Sequence, residues 1–447
     1  MEALLAHLAR FVDYAAWELA RRDVGDWLLV FAPLAVFLEL PRYLIPPLVL
    51  ALLRRSEVRR DDPVGERARA AFLNRRPTVS CILAGRNERA TIAHAVRSLF
   101  EQDWAPDEIL VVDDASDDGM LEAVRPLARD RRVRLVRNVS ASGRAGRPTA
   151  TNLGLRLARG EIVVSLDADT TFDRAMLRHL VEPFADPEVG VVAGNVRVRN
   201  SGSSLLARLQ RFEYALGIEV HKRFTDLYDG TLFASGAVGA FRRAALVERG
   251  GWSQDVAEDA DVSLHLRKAG WRVVFAPAAV ARTNAPRSWR GLLRQRARWD
   301  SAGWKLFFGK HRRAMRPSVG GWGVAVELAC ELVVSLLASL VYPLYVALLF
   351  ALGGPFLAAF VLGVALAAYT ALSLVQTALV VRLVPELGAW RNWIAPALAI
   401  PLYRGLLRWG RVRTLYAELC GLRAPDPFLP ETAWRGLAAA SLSTRRR

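Results

Sequence analysis

What this chain has little of narrows it first. Cysteine is scarce, and Cys81, Cys330 and Cys420 are odd in number and far apart. That excludes a disulfide framework and a zinc site of closely spaced thiolates, and it suits small buried residues in a reducing compartment. Lysine is nearly missing: Lys222, Lys268, Lys305 and Lys310 are the whole set, so almost all positive charge is arginine. Arginine for lysine with abundant alanine reads as the product of a GC-rich bacterial genome. Residues 1–26 mix charged and apolar groups without a compact apolar core, so no cleavable signal peptide is read there. No internal repeat and no nucleic-acid motif stands out.

The content that is present is an unusual mixture. The 447 residues carry a net charge of +17 and are 52% hydrophobic, yet 23% are charged. A chain of this length holds two or three structural units, and the two contents are separated along it. Basic clusters flank apolar segments: Arg54, Arg55, Arg59 and Arg60, then Lys310, Arg312, Arg313 and Arg316. Placed so, they point to the cytoplasmic surface of a lipid bilayer rather than to nucleic acid.

Residues 1–26 alternate apolar and charged groups at helical spacing, as an amphipathic interfacial segment does. Residues 27–53 form an apolar run long enough to span a bilayer core of about 30 Å. Glu39 and Arg42 interrupt it and could pair on one face. The basic linker 54–76 then puts residue 54 onward inside and the N-terminus outside. Residues 77–301 read as an α/β domain. Runs at 79–84, 108–112, 132–136, 162–166 and 189–193 alternate with helical stretches, which predicts a mostly parallel sheet with helices on both faces. Residues 302–321 are aromatic and basic, like an interfacial helix. Apolar runs at 322–351 and 355–381 read as a transmembrane pair split by Gly353-Gly354-Pro355. The stretch 393–407 is a third apolar segment, crossing or re-entrant, and 408–447 is a basic tail.

Polar chemistry comes directly after the predicted strands. Asp167-Ala168-Asp169 is either a solvated loop or a pair of carboxylates sharing a hard cation with substrate phosphates. Asp113 and Asp114 open either a turn and helix cap or a contact to a nucleoside. Glu258-Asp259-Ala260-Asp261 starts a helix, where acidic residues complement the dipole or supply a general base. Gln295-Arg296-Ala297-Arg298-Trp299 is either a membrane-flanking helix or a clamp, with Arg298 on a diphosphate and Trp299 under a sugar. Open α/β sheets bind ligands beyond the carboxyl ends of their strands, so the loops after the strands should meet at one crevice.

Taken in order, these four motifs resemble the processive membrane glycosyltransferases of family 2, the cellulose, hyaluronan, chitin and poly-N-acetylglucosamine synthases. The resemblance spans about residues 77–316. Gly194-Asn195-Val196-Arg197-Val198-Arg199, Glu213-Tyr214, Ser235-Gly236 and Phe241-Arg242-Arg243 are similar to segments of the bacterial poly-N-acetylglucosamine synthases. The resemblance implies a GT-A nucleotide-sugar domain joined to transmembrane and interfacial helices. It implies that Asp113 and Asp114 bind the uridine of a UDP-sugar, that Asp167 and Asp169 hold its diphosphate through Mg²⁺ or Mn²⁺, and that Arg147 and Arg298 bind the donor. Glu258-Asp259 would be catalytic, with Asp259 the base, and Gln295 and Trp299 would line the acceptor site. Partners would be the UDP-sugar, a glycan acceptor and the bilayer, with room for an accessory membrane or export subunit. The setting would be a bacterial inner membrane, multi-pass, with the catalytic domain cytosolic. Ala257 stands where the family often has Thr, and Arg147 where it has Lys, which leaves the donor sugar open. Rivals are a synthase using another UDP-sugar, a non-processive glycolipid transferase, and an inactive nucleotide-sugar-binding scaffold.

Overall fold

A computed structural model describes residues 2–21, 23–27, 31, 33, 40–53, 64–138, 146–254 and 257–420. The chain divides into two compact units: Met1–Ser56 with Leu328–Arg413, and Glu57–Glu327 with Thr414–Arg447.

The second unit is built on one eight-stranded sheet in the order β3-β2-β1-β4-β7-β6-β8-β5. The strands are β1 Val79–Gly85, β2 Glu108–Asp113, β3 Val133–Arg137, β4 Ile162–Asp167, β5 Thr171–Phe172, β6 Val189–Val198, β7 Val238–Arg242 and β8 Arg272–Thr283. From β3 to β4 all neighbours are parallel. β7 then runs antiparallel between β4 and β6, β6 and β8 are parallel, and β5 is an antiparallel edge on β8. The sheet is therefore mixed. β7 and β8 escaped the sequence pattern because β7 is short and holds Gly239, and β8 carries Pro277 beside a register shift.

Burial on both faces explains why the central strands read as unbroken apolar runs. Along β1, Val79, Cys81 and Leu83 enter one core while Ile82 and Ala84 enter the other. The helix Ile92–Phe100 covers the first face with Ile92, Ala95, Val96 and Leu99. The helix Arg147–Leu157 covers the second with Ala150 and Leu155. Gly154 permits that close approach, since a Cβ there would lie 2.6 Å from Ile82 Cγ2. Each fully buried Val, Leu or Ile contributes about 1.5–3 kcal/mol before chain entropy is subtracted. Register then fixes the site: Gly85 pairs with Asp113 and Ala84 with Asp167, so the loops after β1, β2 and β4 leave one edge of the sheet side by side.

In the first unit, the helix Glu2–Arg21 packs Tyr14 against Phe356 at 5.4 Å between ring centroids, and Tyr14 donates to Gly353 O at 3.3 Å. Among the described residues, one apolar helical stretch is long enough to cross a membrane, the 62 residues Trp322–Leu383. At 1.5 Å per residue it would reach roughly three bilayer cores if straight. Gly353 (φ −153°, ψ 16°) and Gly354 (φ 67°, ψ −164°) leave helical values and divide it into two limbs. Gly354 adopts a backbone conformation that other residues rarely reach. Arg42 ion-pairs with Glu331 and donates to Ser335 Oγ. Glu39 and most of the apolar run at 28–39 lie outside the described residues, as does 421–447. The stretch 393–407 falls on the helix Ile394–Leu419, with Pro401 inside it.

Candidate functional site

The loops after β1 and β2 are laced together. Ser116 Oγ accepts from Asn87 N at 2.9 Å, and Asp117 N donates to Asn87 Oδ1 at 3.1 Å. Asp113 is buried, accepts from Ser116 N at 2.9 Å, and lies 3.6 Å from Arg137 Nε. Asp114 is buried too; its oxygens accept from Asn138 Nδ2 and Gly146 N, both at 2.9 Å. Asp114 thus fastens the peptide that starts the next helix.

That helix begins with Arg147, whose guanidinium is the hub of the site. Nη2 donates to Asp167 Oδ1 at 2.6 Å and to Gly236 O at 2.8 Å, while Nη1 donates to Glu258 Oε1 at 2.5 Å. Its planar fork suits such bridging, which a lysine could not reproduce. Gly236 continues the chain, because its N–H donates to Asp259 Oδ2 at 2.7 Å. A Cβ at Gly236 would sit 3.1 Å from Arg147 Nη1 and 3.3 Å from Asp259 Oδ2, which favours glycine there. Asp167, Arg147, Glu258, Gly236 and Asp259 therefore form one connected group, drawn from four separate segments.

Electrostatics distinguish the carboxylates. Burial, reinforced by the Glu258 charge and opposed by Arg147, pushes the Asp259 carboxyl up to about 6. Such a value suits a base working near neutrality. Asp259 heads the helix Glu258–Lys268, entered through Ala257 at φ 61°, a conformation costing about 1 kcal/mol or more for a residue with a Cβ.

Asp169 lies just past β4 and accepts from Thr170 Oγ1 at 2.9 Å. Arg199 braces its loop by donating to Asp169 O at 3.1 Å and to Thr171 Oγ1 at 2.9 Å. Burial, together with the neighbouring Asp167 charge, raises the Asp169 carboxyl above its ordinary value. Two such crowded carboxylates are relieved by a divalent cation. Among the described residues no group of three or more His, Cys, Asp or Glu forms a ready-made metal cage. The pair fits Mg²⁺ or Mn²⁺ all the same, since such ions are held through one or two carboxylates plus substrate phosphates.

Gln295, Arg298 and Trp299 share one face of the helix Trp289–Trp304, at spacings of three and four. Arg296 Nη2 pins this helix to Glu213 Oε2 at 2.9 Å, and Arg296 Cζ lies 4.6 Å from the Trp299 ring centroid. Trp299 is nonetheless 41% exposed, so part of the indole remains open. Gln295 Oε1 is buried with no hydrogen-bond partner among the described residues. This helix and the Asp259 group are thus held by different contacts.

The structure adds two features to the sequence reading. Lys222, which the sequence motifs did not single out, donates to Phe233 O and Ser235 Oγ beside the site. Asp261, two residues past Asp259, is fully buried among Arg249, Ser253, Lys310 and His311.

A sheet whose strand ends gather carboxylates and an arginine, with a further carboxyl at a helix start, defines a GT-A glycosyltransferase fold. Residues 77–302 match the family described as glycosyltransferase like family 2, and the chain belongs to that family. Over 241 residues it is 31% identical to the poly-beta-1,6-N-acetyl-D-glucosamine synthase of Staphylococcus aureus strain COL, covering 52% of this chain and 58% of that protein. The Staphylococcus epidermidis synthase is 31% identical over 227 residues, covering 50% and 54%. The chain thus spans little more than half the length of these curated relatives. A mannosyltransferase from Pyrobaculum calidifontis, solved with GDP-Man and Mn²⁺, superimposes with a TM-score of 0.58 at 25% identity, covering 86% of this chain and 98% of that one.

Proposed function

We propose that this protein is an inverting, metal-dependent membrane glycosyltransferase that extends a β-linked glycan from a UDP-sugar, UDP-N-acetylglucosamine being the leading donor, and passes the product across the membrane. The observation that carries the reading is Asp259: a carboxyl with proton affinity raised toward neutrality, joined through Gly236 to an arginine that holds Asp167. In the reaction, an acceptor hydroxyl forms a bond to the sugar's C1 as the bond from C1 to the diphosphate oxygen breaks. Asp259 takes the hydroxyl proton. Arg298 meets the departing diphosphate, and Asp113 and Asp114 hold the uridine side. Mg²⁺ or Mn²⁺ at Asp167 and Asp169 would supply neutralising charge on the diphosphate. Trp299 offers an open indole to a sugar ring, and the orphaned Gln295 Oε1 would accept from an acceptor hydroxyl.

One observation favours a second reading. The mannosyltransferase likeness covers most of both chains, and that protein was solved with GDP-Man. A GDP-mannose donor is the reading it supports, and it would go with the non-processive glycolipid rival. Purified protein in nanodiscs, given UDP-N-acetylglucosamine or GDP-mannose with and without EDTA, separates the two. Metal-dependent UDP release with a ladder of products supports the first; GDP release with one added sugar replaces it with the second.

A further inference from the structure

Asp259 is held by a short segment rather than by its own helix alone. Gly236 donates to it, and earlier in that segment Ser235 Oγ and Phe233 O both accept from the Lys222 ammonium, at 3.1 and 3.2 Å. The Phe233 and Phe275 rings lie 5.3 and 5.9 Å from the same nitrogen, so aromatic faces stand where water would otherwise solvate it. Lys222 comes from the helix His221–Asp226, directly after a π-helical turn, Ala215–Val220. Such turns recur at functional sites because they re-aim the residues next in the chain. An ammonium has three donors, and two are spent here on one short segment.

We infer that Lys222 is a positioning residue for the transfer reaction: its buried ammonium fixes the segment 233–236 and, through Gly236 and its own charge, sets the orientation and ionisation of Asp259. The inference rests on the reading of Asp259 as the base. The groups facing Asp259 are Glu258 beside it, Arg147 from the helix Arg147–Leu157, and Lys222. Glu258 disfavours the carboxylate, and the two cations favour it. The influence is mutual. Burial pushes the Lys222 ammonium down to about 8, and the Asp259 charge acts against that fall. A lysine placed only for packing would carry no such exchange of charge.

The test uses the full-length protein in nanodiscs, with UDP release from UDP-N-acetylglucosamine monitored against pH. Lys222→Gln keeps much of the reach without the charge. It should lower kcat about tenfold or more, leave the donor KM within roughly twofold, and move the acid limb of the rate profile upward by at least about half a unit. Lys222→Arg should restore the acid limb. Ser235→Ala, which keeps both charges and cuts one tether, should lower kcat while leaving the limb in place. An unmoved acid limb in Lys222→Gln overturns the inference. Because the chain has only four lysines, ¹⁵Nζ-lysine NMR gives a readout free of turnover. Asp259→Asn should depress the Lys222 titration further, and an unchanged midpoint overturns the inference even where the donor is not UDP-N-acetylglucosamine. Should Asp259→Asn retain full transfer, the base assignment falls instead, which is a separate result.

Discussion

At Asp259 solvation and charge pull in opposite directions, and the balance is readable as a pH dependence. Burial favours the protonated carboxyl, and Arg147 favours the carboxylate, leaving the group near 6. A base acts only when deprotonated, so kcat/KM should fall about tenfold per unit as pH drops below 6 and level off above it. Asp259→Asn should cost roughly 10²–10⁴ in rate while calorimetry shows the donor still binding; loss of binding together with rate would place the residue in the donor site. A second expectation concerns Asp169, crowded by Asp167. Asp169→Asn should abolish metal-dependent turnover with the melting temperature unchanged or raised, because a half-buried like-charge repulsion has been removed. Full turnover by that variant, or by the wild type in EDTA, defeats the metal assignment. The acidic pairs were visible in the sequence because each comes right after a strand or opens a helix. Lys222 and the positive φ of Ala257 were not, since a side chain's neighbours and a backbone's handedness depend on segments far away in the chain.

The helix Glu258–Lys268 is held at its start by more than its own turns. Burial alone would push the Asp261 carboxyl up, but hydrogen bonds from His311, Ser253 and Lys310 overcome it and hold the group well below the usual range. Arg249 adds an ion pair at 2.6 Å. A carboxyl with a depressed value stabilises the fold fully above its unfolded pKa of about 4, and that contribution is lost only as pH falls through the folded value. Asp261→Ala strands the nearly buried Arg249 guanidinium and should cost about 3–5 kcal/mol, seen as a lower melting temperature of the detergent-solubilised protein at pH 7. A loss below about 1 kcal/mol, the level of an exposed ion pair, would mean that the cluster is solvated. Strand legibility rests on similar physics. β1, β2, β4 and the start of β6 were apparent because central strands are apolar on both faces and end abruptly in polar loops, and the edge strand β3 because its short run is rich in valine and leucine. The remaining strands were hidden by brevity, by glycine, and by a proline inside a long edge-ward strand.

For the whole molecule, the open question of chemistry is whether sugars are added once or many times. Among the described residues, a long apolar stretch broken at Gly353-Gly354 makes two limbs, each long enough for a bilayer core. A basic segment precedes it, which favours a cytosolic catalytic unit. Membrane-impermeant labelling of cysteines at Arg67 and Asp26 should therefore reach the first only from inside and the second only from outside. Opposite polarity would leave the nucleotide-sugar site on the wrong side. Within the catalytic unit, Trp299 carries Arg296 near one part of its ring and leaves 41% of its surface open. An indole binds a sugar through its apolar face with little demand on which residue of a chain is presented, so it suits an acceptor that must advance by one unit after each transfer. A transferase that modifies one lipid headgroup gains less from such a platform. The wild type should accordingly produce a ladder or long polymer from a single donor. Trp299→Ala should shorten that product, with donor affinity within about twofold, because stacking is worth roughly 1 kcal/mol or more at each acceptor encounter. Mass spectrometry of the product decides it: one added sugar in the wild type removes the synthase reading, and an unshortened polymer in Trp299→Ala removes Trp299 from the acceptor site.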